Sequence, residues 1–151
     1  VADIQIRPTL RGDAEILAAN LRDADMVELQ AAGFDEALYP IQQSVMRSTL
    51  CWTALVDGEL ACIFGVTWSG PDTGSPWMLG TPVVDRHSRV LVRRTPHYIA
   101  FMLQAFSNLR NFVHAENIAS VRWLRRLGFT LAEPQPYGPR GALFHPFEMR
   151  A

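Results

Sequence analysis

Apolar and polar residues alternate over 3–7 (DIQIR) and stop at Pro8, the pattern of a short first strand. The spacing turns helical over 12–33, where Asp23 or Asp25 can cap a second helix and Gly33 can close it. Pro40 opens a further helical turn or two over 40–48. Two apolar runs, LCWTALV and ELACIFGVTW, then flank Asp57-Gly58, a pair suited to the two-residue hairpin turn. GPDTGSP at 70–76 reads as a loop and WMLGTPVV at 77–84 as a buried strand. Pro82 has no N–H for a ladder and Gly80 favours a bulge, so this strand is expected to lose its pairing on one side. Thr95 and Pro96 then sit as cap and first residue of a helix over 95–109. A strand over 110–115, a helix over 117–128 and strands over 129–134 and 141–149 complete the chain. The expected fold is mixed α/β, with antiparallel and crossover pairings in a single domain, 1–151.

Composition narrows the class. The 151 residues, 48% hydrophobic and 19% charged, suit one globular core. No apolar run approaches the roughly 18–20 residues of a membrane span, and no basic-then-apolar leader opens the chain. A soluble, cytoplasmic protein is expected. Cys51 and Cys62 flank the hairpin turn; a two-residue loop would set Cys62 opposite Thr53, with Cys51 diagonal to it, which favours two free thiols. Two cysteines and scattered histidines show no metal-ligand spacing.

The net charge of −1 conceals a split: residues 1–60 carry ten acids against four arginines, −6, and the remainder sums to +5. Every basic residue is arginine. A basic C-terminal half suits an anionic ligand, because guanidinium forks match phosphate oxygens, or it is simply a solvated surface.

Residues 117–129, NIASVRWLRRLGF, carry the clearest motif. Val121, Leu124 and Leu127 share a core-facing stripe, Arg122, Arg125 and Arg126 lie toward solvent or ligand, and Gly128 suits a left-handed cap. Asn117 either caps the helix or hydrogen-bonds a ligand amide. Asn117, Ser120, Trp123, Arg126, Gly128 and Phe129 fall on an Asn-x-x-small-x-x-bulky-x-x-basic-x-Gly-Phe pattern that, with the element order, resembles the GNAT superfamily of acyl-CoA-dependent N-acetyltransferases. The resemblance implies a central mixed sheet splayed between strands 77–84 and 110–115, with the pantetheine arm of acetyl-CoA in the gap. It implies cofactor contacts at Gly80, Thr81, Val83, Asn117 and Ser120, and an acceptor groove bordered by Asp25 and Glu28.

Two departures bear on chemistry. Such enzymes usually carry a glycine-rich loop whose backbone N–H groups hold the pyrophosphate. Here DRHSRVLVRRTPHY has no glycine, and Arg89, Arg93 and Arg94 either replace it with side-chain contacts, bind an acidic partner surface or face water. Many also have a tyrosine that reprotonates the departing thiolate, where this chain has Leu124, which has no proton to give. DMVELQAAG, the tryptophan-rich middle and RNFVHAENIASVRWLRRLGF also resemble GNAT-like bacteriophage proteins related to internal virion proteins of short-tailed phages, a group that likewise tends to lack the glycine loop. That implies a phage or prophage protein in the host cytoplasm or the virion.

Acetyl transfer needs a base for the ammonium and donors for the oxyanion. Asp85 and His87, beyond the splayed strand, and His114 and Glu116, after the next, are the candidate ionisable groups. His114 alternatively satisfies a backbone carbonyl, and Asp85 shapes a turn. Three functions follow: an acetyltransferase acting on an amine, a degenerate GNAT fold that binds phage or host proteins, and nucleic-acid binding through Trp123 and its neighbouring arginines. The overall charge argues against the last.

Overall fold

The computed structural model describes residues 1–151. After β1 (Ile4–Pro8) come three helices, α1 (Asp13–Ala19), α2 (Asp23–Ala31) and α3 (Leu38–Arg47). Three antiparallel strands follow, β2 (Ser48–Val56), β3 (Glu59–Gly70) and β4 (Thr73–Gly80). A short α4 (Pro82–Arg86) runs almost directly into the long α5 (Ser88–Ala105). Then come β5 (Asn108–His114), α6 (Ile118–Leu127), β6 (Thr130–Leu131), β7 (Gln135–Tyr137) and β8 (Ala142–Arg150). The strands form one sheet in the order β1-β2-β3-β4-β5-β8-β6, with β7 also on β8. Only β4 and β5 pair in parallel.

The sheet is covered on both faces. Phe64, Val66, Ile99, Met102, Leu109 and Phe147 belong to the core under α5 and α6. Leu17, Leu29, Ile41, Ile63 and Leu79 form a smaller core under α1, α2 and α3. The alternation along β3 and β4 sends neighbouring side chains to opposite cores, as period-2 geometry requires. Arg7 and the buried Asp13 pair at 2.8 Å and tie the start of α1 to β1.

The turn at Asp57-Gly58 is as expected, with φ of 50° and 82°, both left-handed as a type I′ hairpin demands. A bulge beyond it shifts the register, so Cys62 faces Ala54, not Thr53, and Cys51 faces Gly65. Both thiols are free.

Four expected elements differ. Residues 73–76 are not loop but the start of β4, paired with β3 through Trp68↔Gly74 to Val66↔Pro76. Pro82 is not in a strand: β4 ends at Gly80, the Thr81 hydroxyl accepts from Val83 N–H, and Pro82 takes the first helical turn, where its missing N–H costs nothing. Helix α5 begins at Ser88, not Thr95, because Val90 and Leu91 extend its apolar face by two turns. Pro96 therefore lies inside α5, and the Thr95 hydroxyl donates to Leu91 O at 2.8 Å instead of capping. The strand expected over 129–134 shrinks to Thr130–Leu131, and β7 was hidden by its proline.

Candidate active site

β4 and β5 pair only at Thr73↔Asn108 and Gly74↔Leu109, then diverge. The divergence comes earlier than Gly80–Pro82, where the sequence placed it. Gly74 lets the layers close at that apex, since a Cβ there would lie 2.5 Å from the Phe106 ring and 2.6 Å from Val66. Past the apex the strands present backbone groups to an open V.

Those groups can be traced one by one. Asn111 reaches across the V, its side-chain N–H donating to Pro76 O at 2.8 Å while its Oδ1 accepts from Phe112 N–H at 2.8 Å. His114 N–H donates to Glu28 Oε1 at 2.9 Å. Gly80 N–H donates to Asp25 and Gly80 O accepts from Arg22 N–H. Residues 74, 76 and 80 thus aim their backbones at β5, and by alternation so does Met78. Met78 N–H and C=O are left as the pair open to a ligand in the gap.

Glu28, on α2, stands at this opening and lines the cleft. Its Oε1 is held by His114 N–H and, at 3.4 Å, by the Asn117 amide, while Oε2 makes no hydrogen bond. Burial raises its carboxyl to about 7; the His114 N–H opposes the rise and the nearby Asp25 adds to it. A carboxylate poised near neutral pH with one free oxygen is equipped to accept a proton.

The wide end of the V is spanned by Arg22. Its Nε donates to Asp25 at 2.7 Å, one terminal nitrogen to Asp85 at 2.9 Å and the other to Ser120 Oγ at 3.1 Å. Asp25, fully buried, also accepts from the Asn117 amide at 3.2 Å. One guanidinium thereby joins α2, the helix after β4 and the helix after β5. Burial lowers its proton affinity, but the two aspartates more than restore it, so it stays charged.

The expected residues fall into distinct places. Glu28 and Ser120 line the cleft. Asn117 is buried and takes the capping role, its Oδ1 accepting from Ser120 N–H at 3.3 Å, while its amide N–H groups are spent on the α2 carboxylates. Asp25 is an interior ion-pair partner, not a groove residue. Gly80 has its backbone engaged by α2. Thr81 and Val83 lie past the end of β4, buried at the start of α4, and do not line the cleft, whereas Met78 does. Asp85 is bound to Arg22, and His87 occupies the joint between α4 and α5 without capping it. His114 is buried against Phe144, with Nδ1 unpartnered and Nε2 3.7 Å from the exposed Glu116. Arg89, Arg93 and Arg94 project from the first turns of α5 with no acidic partner. Leu124 is partly buried and lines the cleft, as its place in the motif requires.

Two site residues escaped the sequence reading. Asn111 follows Arg110 in a strand of mixed polarity, and nothing local marked it. Arg22 had no local signal either, since its partner Asp85 lies 63 residues away.

No protein-family model and no curated protein matches the sequence. Solved structures do match the fold. A suspected acetyltransferase from Acinetobacter baylyi is 13% identical, with all of this chain and 94% of that one covered at a TM-score of 0.75. A GNAT-family acetyltransferase from Bacillus anthracis is 10% identical, covering 99% and 96% at 0.73. Spermidine N-acetyltransferase from Vibrio cholerae, solved with CoA and spermine, is 12% identical, covering 97% and 95% at 0.69. The length, the mixed sheet and the six helices coincide over nearly the whole chain, and the chain therefore has the GNAT acyl-CoA N-acyltransferase fold.

Proposed function

We propose that the protein transfers an acyl group from a CoA thioester to an amine, with Glu28 as general base. The observation that carries this reading is the meeting of two features at one opening: the unpaired Met78 backbone, which suits a pantetheine amide, and the Glu28 carboxylate with its free oxygen. Glu28 takes a proton from the substrate ammonium, the freed amine attacks the thioester carbon, a C–N bond forms and the C–S bond breaks. The thiolate takes the second amine proton by way of water, because Leu124 offers none. The neighbouring structure holding CoA and spermine suggests a cationic amine as acceptor. Calorimetric titration with acetyl-CoA, followed by thiol release on adding a panel of amines, tests it. Saturable binding with amine-dependent release is expected; no heat at millimolar acetyl-CoA would overturn the reading.

On this reading the CoA phosphates lie near residues 89–96 of α5, where no glycine loop exists and Arg89, Arg93 and Arg94 are exposed. Arg93→Ala combined with Arg94→Ala is expected to weaken CoA binding more than tenfold, since each charged hydrogen bond lost is worth roughly 1.5–3 kcal/mol. Unchanged titration affinity would place the phosphates elsewhere. Leu124→Tyr supplies the missing acid, so thiol-release assays should show turnover up by roughly 10²–10⁴-fold, the usual worth of general-acid help. CoA affinity should change little.

A second reading, a non-catalytic GNAT fold of phage or prophage origin acting in assembly or host contact, is favoured by the Arg22 bridge across the mouth of the V and by α4 in place of a phosphate loop. The bacterial structural neighbours lend the phage origin nothing. On that reading neither acetyl-CoA nor Leu124→Tyr produces activity with any amine.

A further inference from the structure

On the side of the sheet that faces α2 and α3, the V is flanked by one aromatic ring from each diverging strand. Trp77 of β4 packs toward the core under α1, α2 and α3. Leu109 and Val113 of β5 point to the core under α5, so alternation sets Phe112 on the opposite face, with Trp77. Both rings are pinned. The Trp77 indole N–H donates to Ser48 Oγ at 2.8 Å, and Phe112 stacks on Tyr137 of β7 with ring centres 3.9 Å apart and planes 14° from parallel. Glu28 and Leu29 of α2 and Ser44 of α3 complete this side of the cleft. Trp77, Phe112, Glu28 and Ser44 are each half-buried, so a ligand can reach them.

Glu28 is the only charged residue that lines the cleft. One carboxylate satisfies one ammonium. A second ammonium on the same molecule would lie against aromatic and aliphatic walls with no counter-ion, and a carboxylate or phosphate would meet no cation. An uncharged apolar body gains from burial there. The groove is also short. Residues 28, 31 and 32 share a face of α2, and the tip of the β7–β8 hairpin rests on that face one turn beyond Glu28. A Cβ at Gly138 would stand 3.7 Å from Ala31 O, and one at Gly33 would stand 2.6 Å from Pro139. Arg140 fastens the tip, its guanidinium donating to Gln30 O at 2.8 Å and to Asp35 at 2.9 Å. At the other end Arg22 and the Asn117 amide join α2 to α6. An extended chain laid along α2 is blocked in both directions.

We propose that the acceptor is a small primary amine with one positive charge and an aromatic body, of the phenylethylamine class, its nitrogen at Glu28 and its ring between Trp77 and Phe112. This inference rests on the acyltransferase reading and names its second substrate. The amine nitrogen bonds to the acyl carbon and the thioester C–S bond breaks. Of the two protons the ammonium loses, one goes to Glu28 and the other to the CoA sulfur.

The test is the initial rate of thiol release from acetyl-CoA on the wild-type protein with 2-phenylethylamine, ethylamine, spermidine and a short peptide that begins with phenylalanine. The kcat/KM for 2-phenylethylamine is expected to exceed that for ethylamine roughly tenfold to a hundredfold, the worth of burying a ring. It should exceed those for spermidine and the peptide by about tenfold or more. Ser44→Glu, which sets a second carboxylate in the groove, should raise spermidine relative to 2-phenylethylamine by about fivefold or more. Thiol release led by spermidine or by the peptide, or equal for 2-phenylethylamine and ethylamine, overturns the acceptor assignment and leaves the acyltransferase reading standing. No release with any of the four overturns the assignment, and no binding of acetyl-CoA as well overturns both. The wild-type panel decides the question even if Ser44→Glu fails to fold.

Discussion

Glu28→Gln is expected to lower turnover by roughly 10²–10⁴-fold, the usual worth of a positioned base, and to make the protein more stable. The amide keeps an oxygen for His114 N–H but cannot take a proton from the substrate. Wild-type turnover should rise with pH through about 7 as the Glu28 carboxyl ionises, and the variant should lose that step. The stability change follows from the same shift. Below about 4.5 the carboxyl is protonated in both states and costs nothing. Between about 4.5 and 7 the unfolded chain releases the proton while the folded protein keeps it, so wild-type stability falls as pH rises across that window. The variant has no such fall, and at pH 8 it should be more stable by up to about 3 kcal/mol. Urea unfolding at pH 4 and pH 8 beside initial rates checks both halves. Retained activity with a flat stability difference would remove Glu28 from the mechanism.

Arg22→Ala should be among the most damaging substitutions in the chain, costing about 3–5 kcal/mol, because it leaves a buried charge without its counter-ion. Asp25 is fully buried, and after the change it would keep only Gly80 N–H and the Asn117 amide. Arg22→Ala with Asp25→Asn should recover part of the loss, since the orphaned charge goes too. Equilibrium unfolding of the two variants measures it, and a loss under 1 kcal/mol in the single variant would mean that water replaces the guanidinium.

The fold was readable in advance where local chemistry decides local structure. The Asp57-Gly58 turn, the Gly128 cap and the Val121–Leu124–Leu127 stripe each depend on residues within one or two turns of one another. The misread segments were those where a distant partner overrides local preference. Ser75 and Pro76 look like loop until β3 pairs with them, and Pro96 looks like a helix start until Leu91 is seen buried against the sheet. The site divided in the same way. The resemblance pointed to Glu28, Asn117 and Ser120, but burial parts Glu28 from Asp25, both expected at the groove: Glu28 keeps a free oxygen at the cleft, and Asp25 is spent on Arg22. That separation depends on contacts spanning residues 22 to 120, and no window of sequence contains it.

The two-residue ladder between β4 and β5 divides the sheet into two halves, β1 to β4 and β5 with β6, β7 and β8, joined in the sheet by very little hydrogen bonding. Each half is a candidate unit of partial unfolding, with the seam as its weakest line. Amides on either side of the seam, such as those of Phe112 and Met78, should exchange hydrogen sooner than those of Ile63 or Val113, which lie in full ladders. A ligand that bonds Met78 and fills the gap becomes the missing strand between the halves. It would tie two partly independent bodies into one cooperative unit, so that saturation raises the melting temperature and sharpens the transition as well.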